Sequence, residues 1–445
     1  MEKQINETKR RLKDWWEDAK TLGRPLVLCH KSPVGHIGKH WGYFTYAQML
    51  VELLGNDKLK SQIRVAQDAT YREIPSLPKA PTGFKINFED PAHAAIIAQV
   101  KNQIEAEITS SPYGDMIPII RSQAGPGFPG CCMGEYSCIP TNGPNTIWYE
   151  TPRRWEELDH LELDYSSPWW QFMVEITRKQ LDEGPNWLAV GFPSMSGTTD
   201  ILQSLRGTQK MLRDMLTEKD RVKRVLDQIN NIYQETVDQF WKIIKQKRDG
   251  TGSFIGIWAP GNAPSIQCDA LAYLGPKQFK EFAFPYIKKD LEQSDYGTYH
   301  LDGPGAIKYL HDLLEIPQLD LIQWVEGAGN PDGVALKWYP LVKKVLEKGK
   351  RILLYTRIDR IPYFMRRLKE DGVDPRGIVF SIGTVRDFEV KEFLPWLEEE
   401  SFDQRNLSYY SEEFWSDYDA MLQDDKKTYE DLYTNGIDLQ LHYEK

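Results

Sequence analysis

The sequence predicts an α/β protein, a (β/α)8 TIM barrel with a long Gly/Pro-rich insertion and extra N- and C-terminal helices. About eight short apolar segments, rich in β-branched residues, are bounded by Gly, Pro or polar residues. Segments of helical period lie between most of them. Buried strands that alternate with helices are typical of a parallel sheet covered by helices, and eight such units predict a barrel.

The eight predicted strands are short and almost wholly apolar. They are PLVLCH (ending at His30), MIPIIRS (Ser122), NWLAVGFP (Pro193), SFIGIWAP (Pro260), GTYHLDG (Gly303), LDLIQWV (Val325), RILLYTR (Arg357) and GIVFSIG (Gly383). The alternative is an open doubly wound sheet. Its nucleotide-binding versions lack support, because no G-x-G-x-x-G follows a strand and no P-loop is present.

The predicted helices precede the fourth to eighth strands. They are TDILQSLRGTQKMLRDMLT and EKDRVKRVLDQINNIYQETVDQFWKIIKQKR before the fourth strand, then GPKQFKEFAFPYIKKDLEQ, PGAIKYLHDLLEI, ALKWYPLVKKVLEKG and IPYFMRRLKEDG. We expect a single domain over residues 1–445. Residues 123–186 fit the repeat poorly and are predicted to be an insertion or lid. Residues 403–445 form an acidic, aromatic extension, predicted to pack as a helix or to mediate homodimerisation.

The composition excludes several classes of protein. The chain is 41% hydrophobic and 27% charged, as in globular proteins, and its net charge of -10 disfavours a nucleic-acid partner. Five cysteines, an odd number, favour a reducing compartment. The charged N-terminus lacks the apolar segment of a signal peptide, and no apolar run approaches the roughly 18 residues of a membrane span. We therefore expect a cytoplasmic protein with no membrane partner.

The ends of the predicted strands carry the candidate site, because catalytic groups of barrels lie at the C-terminal ends of strands and in the loops that follow. The densest group is Asp269, His300, Asp302 and Glu326. This group is predicted to be catalytic. An imidazole and three carboxylates can transfer protons, or they can bind a divalent metal, with His300, Asp302 and Glu326 as ligands. Asp302 precedes Gly-Pro, so it could instead cap the next helix.

Six further strand-end residues are predicted to contact a small-molecule substrate. They are His30, Arg121, Trp258, Tyr299, Trp324 and Arg357. Tyr299 neighbours His300 in a strand and could face the opposite side, and the aromatic residues could equally belong to the core. His36 and His40, which follow His30, fit a lid or substrate contact better than a metal site. Cys131, Cys132 and Cys138 lack a second C-x-x-C pair, so a structural zinc site has little support.

Three segments resemble the uroporphyrinogen-decarboxylase-like superfamily. TTDILQSLRGTQKMLRDML, QCDALAYLGPKQFKEFAFPYI and YHLDGPGAIKYLHDLL resemble its G-x-x-D-I-L-x-x-L-R-G, S-P-x-x-F-x-E-F-x-x-P and H-x-x-G stretches, over residues 187 to 395. The resemblance implies a TIM barrel with its pocket at the C-terminal mouth. The superfamily includes the decarboxylase of haem synthesis and zinc-dependent methyltransferases that work with corrinoid proteins.

The chain departs from both of these enzymes. The decarboxylase carries R-Q-A-G-R after its first strand, where this chain has CHKSPVGHIGK, so tetrapyrrole decarboxylation is not expected. The methyltransferases carry His-x-Cys at the strand end that holds His300, and a second Cys after the last strand. Here Asp302 replaces the first of these cysteines, and Thr384 stands near the place of the second. Oxygen and nitrogen ligands would suit oxygen-bearing substrates.

The sequence therefore predicts a metal-assisted methyltransferase or demethylase, nearer to the corrinoid-linked members than to the decarboxylase. Zinc is the candidate metal, and a corrinoid on a partner protein would accept a methyl group from an ether or alcohol. One alternative is a lyase, isomerase or hydrolase that acts on a sugar or polyol, with Asp302 and Glu326 as acid and base. Another is a barrel that binds a ligand without catalysis.

Overall fold

The computed structural model describes residues 1–31, 94–109, 112–133, 140–142, 147–149, 153–385 and 387–398. His36, His40, Cys138 and the extension over residues 403–445 lie outside this part of the chain. The described residues divide into two compact units. Unit 1 holds residues 1–31, 112–117, 298–385 and 387–398, and unit 2 holds 94–109, 118–133, 140–142, 147–149 and 153–297. The expectation of one domain stays a prediction.

The described strands are mostly short. They are β1 Leu26–Lys31, β2 Pro112–Gly114, β3 Ile119–Arg121, β4 Pro140–Asn142, β5 Ile147–Tyr149, β6 Ala189–Gly191, β7 Thr251–Gly252, β8 Trp258–Ala259, β9 Ser265–Gln267, β10 Gly297–Asp302, β11 Leu319–Val325, β12 Arg351–Tyr355 and β13 Ile378–Val385.

The described α-helices differ widely in length. They are α1 Glu2–Glu17, α2 Ala94–Thr109, α3 Phe128–Cys131, α4 Pro168–Glu183, α5 Thr198–Arg206, α6 Thr208–Thr217, α7 Lys219–Ile244, α8 Pro276–Gln278, α9 Phe284–Glu292, α10 Leu310–Leu314, α11 Tyr339–Glu347, α12 Ile361–Glu370 and α13 Asp387–Glu398. None of the described helices is both long enough and apolar enough to cross a membrane.

Unit 1 contains six strands of a seven-stranded sheet, in the order β2-β1-β13-β12-β11-β10. The pairs β1–β13, β12–β13 and β11–β12 are parallel, whereas β2 runs antiparallel to β1. This sheet confirms the predicted α/β class. The strand order among the described residues is a row with two ends, so a closed (β/α)8 barrel is not confirmed.

The strands of unit 1 are buried because their side chains are apolar on both faces. In β11, Leu321, Ile322 and Trp324 are fully buried. The ring of Trp324 packs edge-on against Trp338, which lies just before α11, with 5.0 Å between the ring centroids. Helices cover both faces of a parallel sheet, so its strands are apolar on both faces. Polar groups then lie at the strand ends.

In unit 2, the prediction of the fourth strand is wrong. The segment SFIGIWAP does not form one strand; β8 lies within it and pairs antiparallel with β7, which precedes it. Gly256 has φ of 88°, a left-handed conformation that L-residues rarely adopt, so the chain turns there. The strand β9 was not predicted, because its three residues Ser265–Gln267 are mostly polar although all are buried. In the same unit, β3 and β6 pair in parallel as expected.

Two predicted helices are interrupted for local reasons. The segment TDILQSLRGTQKMLRDMLT forms α5 and α6, separated by Gly207 at φ 79°. The segment GPKQFKEFAFPYIKKDLEQ forms α8, a π-helix over Phe279–Ala283 and then α9. Pro285, at the start of α9, has no N–H to donate to the preceding turn, and such a gap favours a local change of helical pitch.

The first turn of α5 is the most heavily bonded part of unit 2. Gly197 precedes it, and a Cβ there would lie 1.8 Å from the carbonyl oxygen of Gln267. The hydroxyl of Thr198 donates to Asp290 at 3.2 Å, and the hydroxyl of Thr199 donates to the carbonyl of Phe282 at 3.0 Å. These contacts fix the turn against the rest of the unit.

We expect Gly197→Ala to destabilise the protein by about 1–3 kcal/mol, because the added methyl group would overlap the backbone of Gln267. Gly23→Ala is the matched control, since no heavy atom lies within 4 Å of a Cβ at Gly23; it should stay within about 0.5 kcal/mol of the parent protein. Urea unfolding measures both. Equal stability of the two variants would contradict the close approach.

The buried carboxyl of Asp290 predicts a pH dependence of stability. Burial raises the pKa of Asp290 to about 8, against the hydrogen bonds from Thr198 and Asn230 that lower it. The folded protein therefore holds a proton that the unfolded chain releases near pH 4. The stability from this group is complete below about pH 4 and is lost as the pH rises to about 8, by at most about 1.4 kcal/mol per pH unit.

Asp290→Asn should remove that dependence, because an amide does not titrate. Urea unfolding at pH 5 and pH 8 compares the two proteins. The fall in stability between these pH values should be smaller in Asp290→Asn than in the parent. The same fall in both proteins would show that Asp290 is ionised in the folded state throughout this range.

Candidate functional site

His300 and Asp302 lie on the same face of β10, because successive side chains of a strand point to opposite faces. Tyr299 and Leu301, on the other face, are fully buried, whereas His300 is half-buried and Asp302 is exposed. A ring nitrogen of His300 and a carboxylate oxygen of Asp302 lie within 4.8 Å of each other. The predicted His–Asp pair is therefore an accessible pair at the end of this strand.

A hydrogen-bond chain links His300 to the two following strands of the sheet. The Nδ1 of His300 lies 2.6 Å from the Oε1 of Gln323, which belongs to β11 and is only 2% exposed. The Nε2 of Gln323 donates to the hydroxyl of Tyr355 on β12, at 2.5 Å. The order β12-β11-β10 in the sheet places these three side chains in one row.

This row of hydrogen bonds determines which ring nitrogen of His300 carries the proton. Since the amide nitrogen of Gln323 donates to Tyr355, its Oε1 is left to accept, and Nδ1 of His300 is the donor. The nitrogen that would coordinate a metal is then Nε2. Burial lowers the pKa of His300, against the hydrogen bond with Gln323 and the charge of Asp302, which raise it. The imidazole is therefore neutral at pH 7, the form that binds metals.

Glu326 follows β11, the strand that is the neighbour of β10 in the sheet. The N–H of Gly303, which follows Asp302, donates to the carbonyl of Val325 at 2.9 Å. Among the described residues, the Oε2 of Glu326 is buried and has no hydrogen-bond partner. Burial raises the pKa of Glu326, and the charge of Asp332 adds to the increase. A buried carboxylate oxygen without a partner is a group that a ligand or a cation would satisfy.

The structure answers whether Asp302 caps the next helix. The 3-10 helix Pro304–Tyr309 begins after Gly303, and no side chain among the described residues bonds its N-terminal N–H groups. Gly303 has φ of 74°, so the turn there requires glycine. The capping alternative for Asp302 is therefore wrong, which leaves its carboxylate for another role.

In unit 2, Asp269 begins the 3-10 helix Asp269–Ala272 after β9. Its Oδ2 accepts from the Nε2 of Gln267 at 3.1 Å, and its backbone N–H donates to the Oδ2 of Asp200 at 3.0 Å. Asp269 thus follows a strand end, as predicted, although that strand is β9 rather than the predicted fourth strand. Its catalytic role stays a prediction.

Arg121 ends β3 and is bonded within unit 2. Its guanidinium donates to the carbonyl of Ser253. With the Gln123 amide in the orientation that pairs both of its atoms, the Nε of Arg121 donates to the amide oxygen at 2.8 Å, and the amide nitrogen donates to Ser194 at 2.9 Å. These bonds hold the guanidinium at the strand end, where the sequence places a substrate contact.

The other predicted contacts differ in exposure. Tyr299, Trp324 and Trp258 are buried, as core residues are, whereas Arg357 is exposed. The backbone of His30 lies in β1 opposite Thr384 of β13, and its side chain lies outside the described part. Substrate binding by all of these residues stays a prediction.

Sequence reasoning missed Gln323 and Tyr355. Gln323 is the one amide inside the apolar run LDLIQWV, and a polar residue in a buried strand needs a partner. The sequence therefore contained a signal that could have identified Gln323. Tyr355 gives no such signal, because a tyrosine near a strand end is also an ordinary core residue.

No protein-family model and no curated protein matches this sequence. Among solved structures, the chain is similar to a methyltransferase from Methanosarcina mazei, at 11% identity and a TM-score of 0.47, over 88% of this chain and 98% of that one. It is also similar to a B12-independent methionine synthase from Shewanella sp. W3-18-1 in complex with selenomethionine, at 11% identity and a TM-score of 0.30, over 52% of this chain and 65% of that one. Membership of the uroporphyrinogen-decarboxylase-like superfamily stays a prediction from the sequence.

We expect Gln323→Leu to change the tautomer of His300, because leucine keeps the apolar volume but removes the acceptor for Nδ1–H. Nitrogen-15 NMR of the imidazole should show Nδ1 protonated in the parent protein and an increased Nε2–H fraction in the variant. The exposed His311 serves as an internal control and should not change. The variant should also lose about 1–3 kcal/mol of stability. A parent protein with Nε2–H as its main tautomer would contradict the assigned chain.

Proposed function

We propose that the chain is an enzyme of methyltransferase type that holds a divalent cation through His300, Asp302 and Glu326. The observation that carries the proposal is the His300–Gln323 hydrogen bond, which commits Nδ1 and leaves Nε2 as the coordinating nitrogen. Metal-binding histidines usually donate their other N–H to a neighbouring group in this way.

The donor set suits a divalent cation. One imidazole nitrogen and carboxylate oxygens are ligands of catalytic zinc sites, which keep a position open for substrate or water. The buried Oε2 of Glu326 supports its place among the ligands, since a cation would satisfy it. Asp269, in unit 2, stays a proposed catalytic carboxylate, on the sequence argument that functional groups of parallel sheets follow the ends of strands.

The proposed reaction is the removal of a methyl group from an ether or alcohol. A bound cation would supply Lewis acidity to the methoxy oxygen. The C–O bond would break with its electron pair left on the oxygen, which would take up a proton. A reduced, nucleophilic corrinoid carried by a partner protein would supply the electron pair for the new bond to the methyl group. Arg357 would orient the substrate. The corrinoid partner rests on the sequence resemblance alone.

A second candidate is acid–base chemistry on a sugar or polyol. The observation that favours it is the contrast between two neighbouring carboxyl groups, since Asp302 is exposed and Glu326 carries a buried oxygen and a raised pKa. Glu326 would be the acid and Asp302 the base. This candidate needs no metal.

Metal analysis of the purified protein separates the two candidates. We expect stoichiometric zinc in the parent protein, or uptake of one zinc ion per chain after dialysis. His300→Ala should lose at least about tenfold in zinc affinity, because it removes the nitrogen ligand. His311→Ala is the matched control, since His311 is exposed and lies outside the proposed ligand set; it should bind zinc as the parent does.

A folded parent protein that binds no divalent cation would contradict the metal proposal. In that case, the pH–rate profile with sugar or polyol substrates tests the second candidate, and Glu326→Gln should abolish the fall in rate at high pH that the loss of the acid's proton causes. A ligand that binds without turnover, with weaker binding in His300→Ala, would instead identify a binding protein.

A further inference from the structure

We infer that Tyr355 is the positioning residue of His300, because its phenol selects the direction of the Gln323 amide and the amide sets the tautomer of the imidazole. The inference rests on the proposed function, in which the Nε2 of His300 binds a cation, and it involves unit 1 alone. In this account Tyr355 contacts neither the cation nor the substrate and acts only through Gln323.

The pairing of the strands brings the phenol of Tyr355 to Gln323. Gln323 of β11 is paired with Leu353 of β12, and Tyr355 lies two residues beyond Leu353, so all three side chains point to the same face of the sheet. The hydroxyl of Tyr355 reaches back to the amide and lies 2.5 Å from the Nε2 of Gln323. The backbone of Tyr355 is itself paired with Ser381 of β13. The sheet therefore fixes the position from which the phenol extends.

The amide of Gln323 has two ends that are nearly equal in size and shape. With its oxygen toward the ring, Nδ1 of His300 keeps the hydrogen and Nε2 is left to coordinate a metal. With its nitrogen toward the ring, Nδ1 has to accept and the hydrogen moves to Nε2. Gln323 is only 2% exposed, and packing alone does not distinguish the two directions. The direction therefore depends on the hydrogen bond at the far end of the amide.

Tyr355 makes that far hydrogen bond. Its oxygen accepts from the Nε2 of Gln323, which leaves Oε1 for the Nδ1–H of His300. Without the hydroxyl, the buried N–H would lose this acceptor, and an unpaired buried donor is costly. The amide would regain an acceptor by turning its nitrogen toward Nδ1. A carboxylate oxygen of Asp302, within 4.8 Å of a ring nitrogen, favours the same change because it can accept from Nε2–H. Loss of the phenol should therefore give the tautomer whose Nε2 cannot bind a cation.

The substitution Gln323→Glu separates positioning from packing. A carboxylate has two accepting oxygens and no donor, so it accepts from Nδ1–H whichever way it turns. Carboxylates are common in this place beside metal-binding histidines. In the Gln323→Glu background, the tautomer of His300 should therefore no longer depend on Tyr355. A merely structural contribution of the phenol would appear in both backgrounds.

The test compares the parent protein, Tyr355→Phe, Gln323→Glu and the double variant as full chains. Nitrogen-15 NMR of the metal-free proteins measures the tautomer of His300, and calorimetric titration with Zn²⁺ measures cation affinity. Tyr355→Phe should show mainly Nε2–H and should bind zinc about tenfold more weakly. The double variant should match Gln323→Glu in both measurements.

Tyr286→Phe is the matched control, since it removes the hydroxyl of another buried tyrosine. The hydroxyl of Tyr286 donates to the Oδ1 of Asp227 at 3.2 Å, and both residues belong to unit 2. This variant loses a tyrosine hydrogen bond that is not part of the row from His300 to Tyr355. It should therefore keep the tautomer and the zinc affinity of the parent protein.

The outcomes separate this inference from the proposed function. An unchanged Nδ1–H fraction in Tyr355→Phe would overturn the positioning role, and so would an equal loss of affinity in both backgrounds. A parent protein that binds no zinc would contradict the proposed function, whereas the NMR measurement would still decide whether Tyr355 sets the tautomer. If Tyr355→Phe does not fold, Tyr355→Met replaces it, since it also removes the hydroxyl; an unchanged Nδ1–H fraction in that variant would overturn the inference.

Discussion

The hydrogen bond between Nδ1 of His300 and Oε1 of Gln323 sets the chemistry available to unit 1. A buried amide has a donor end and an acceptor end, and both must be paired. With its nitrogen directed to Tyr355, Gln323 can offer only its oxygen to His300. The hydrogen bond leaves Nε2 as the basic nitrogen of the imidazole, beside the carboxylate of Asp302, and burial lowers the pKa of His300. Removal of the amide would leave the histidine without a fixed tautomer.

Buried polar groups in unit 2 are also paired by hydrogen bonds. Two carboxyl groups, Asp200 and Asp290, are buried around the first turn of α5, and burial raises the pKa of both. Buried carboxyl groups are costly, so each is surrounded by donors. For Asp290 the donors include the side chains of Thr198 and Asn230. For Asp200 they include the backbone N–H groups of Asp269 and Ala270, which connects the packing of a helix to the placement of a candidate site residue.

The sequence predicts most of the strands of unit 1 because they follow a simple rule. The run LDLIQWV coincides with β11, since a strand buried on both faces must be apolar throughout. The rule fails for β9, where Ser265 and Gln267 are polar yet buried and are paired by hydrogen bonds. It also fails for SFIGIWAP, where the conformation of Gly256 reverses the chain. Closure of the sheet depends on pairing between distant segments, which local periodicity does not encode.

The candidate site was predictable in part. His300, Asp302 and Glu326 could be named because strand ends collect functional groups in parallel sheets. Their partners could not, because hydrogen bonds such as those of His300 with Gln323 and of Asp269 with Asp200 join residues 23 and 69 positions apart. The absence of a side-chain cap on the helix after Gly303 also had to be observed, since Asp-Gly-Pro fits a cap equally well in sequence.

The most direct test of the central claim is anomalous diffraction at the zinc absorption edge, from crystals grown with zinc. The account predicts one anomalous peak per chain in unit 1, in contact with Nε2 of His300 and a carboxylate oxygen of Asp302. A strong peak away from His300, or no peak in crystals that contain the folded protein and zinc, would contradict it.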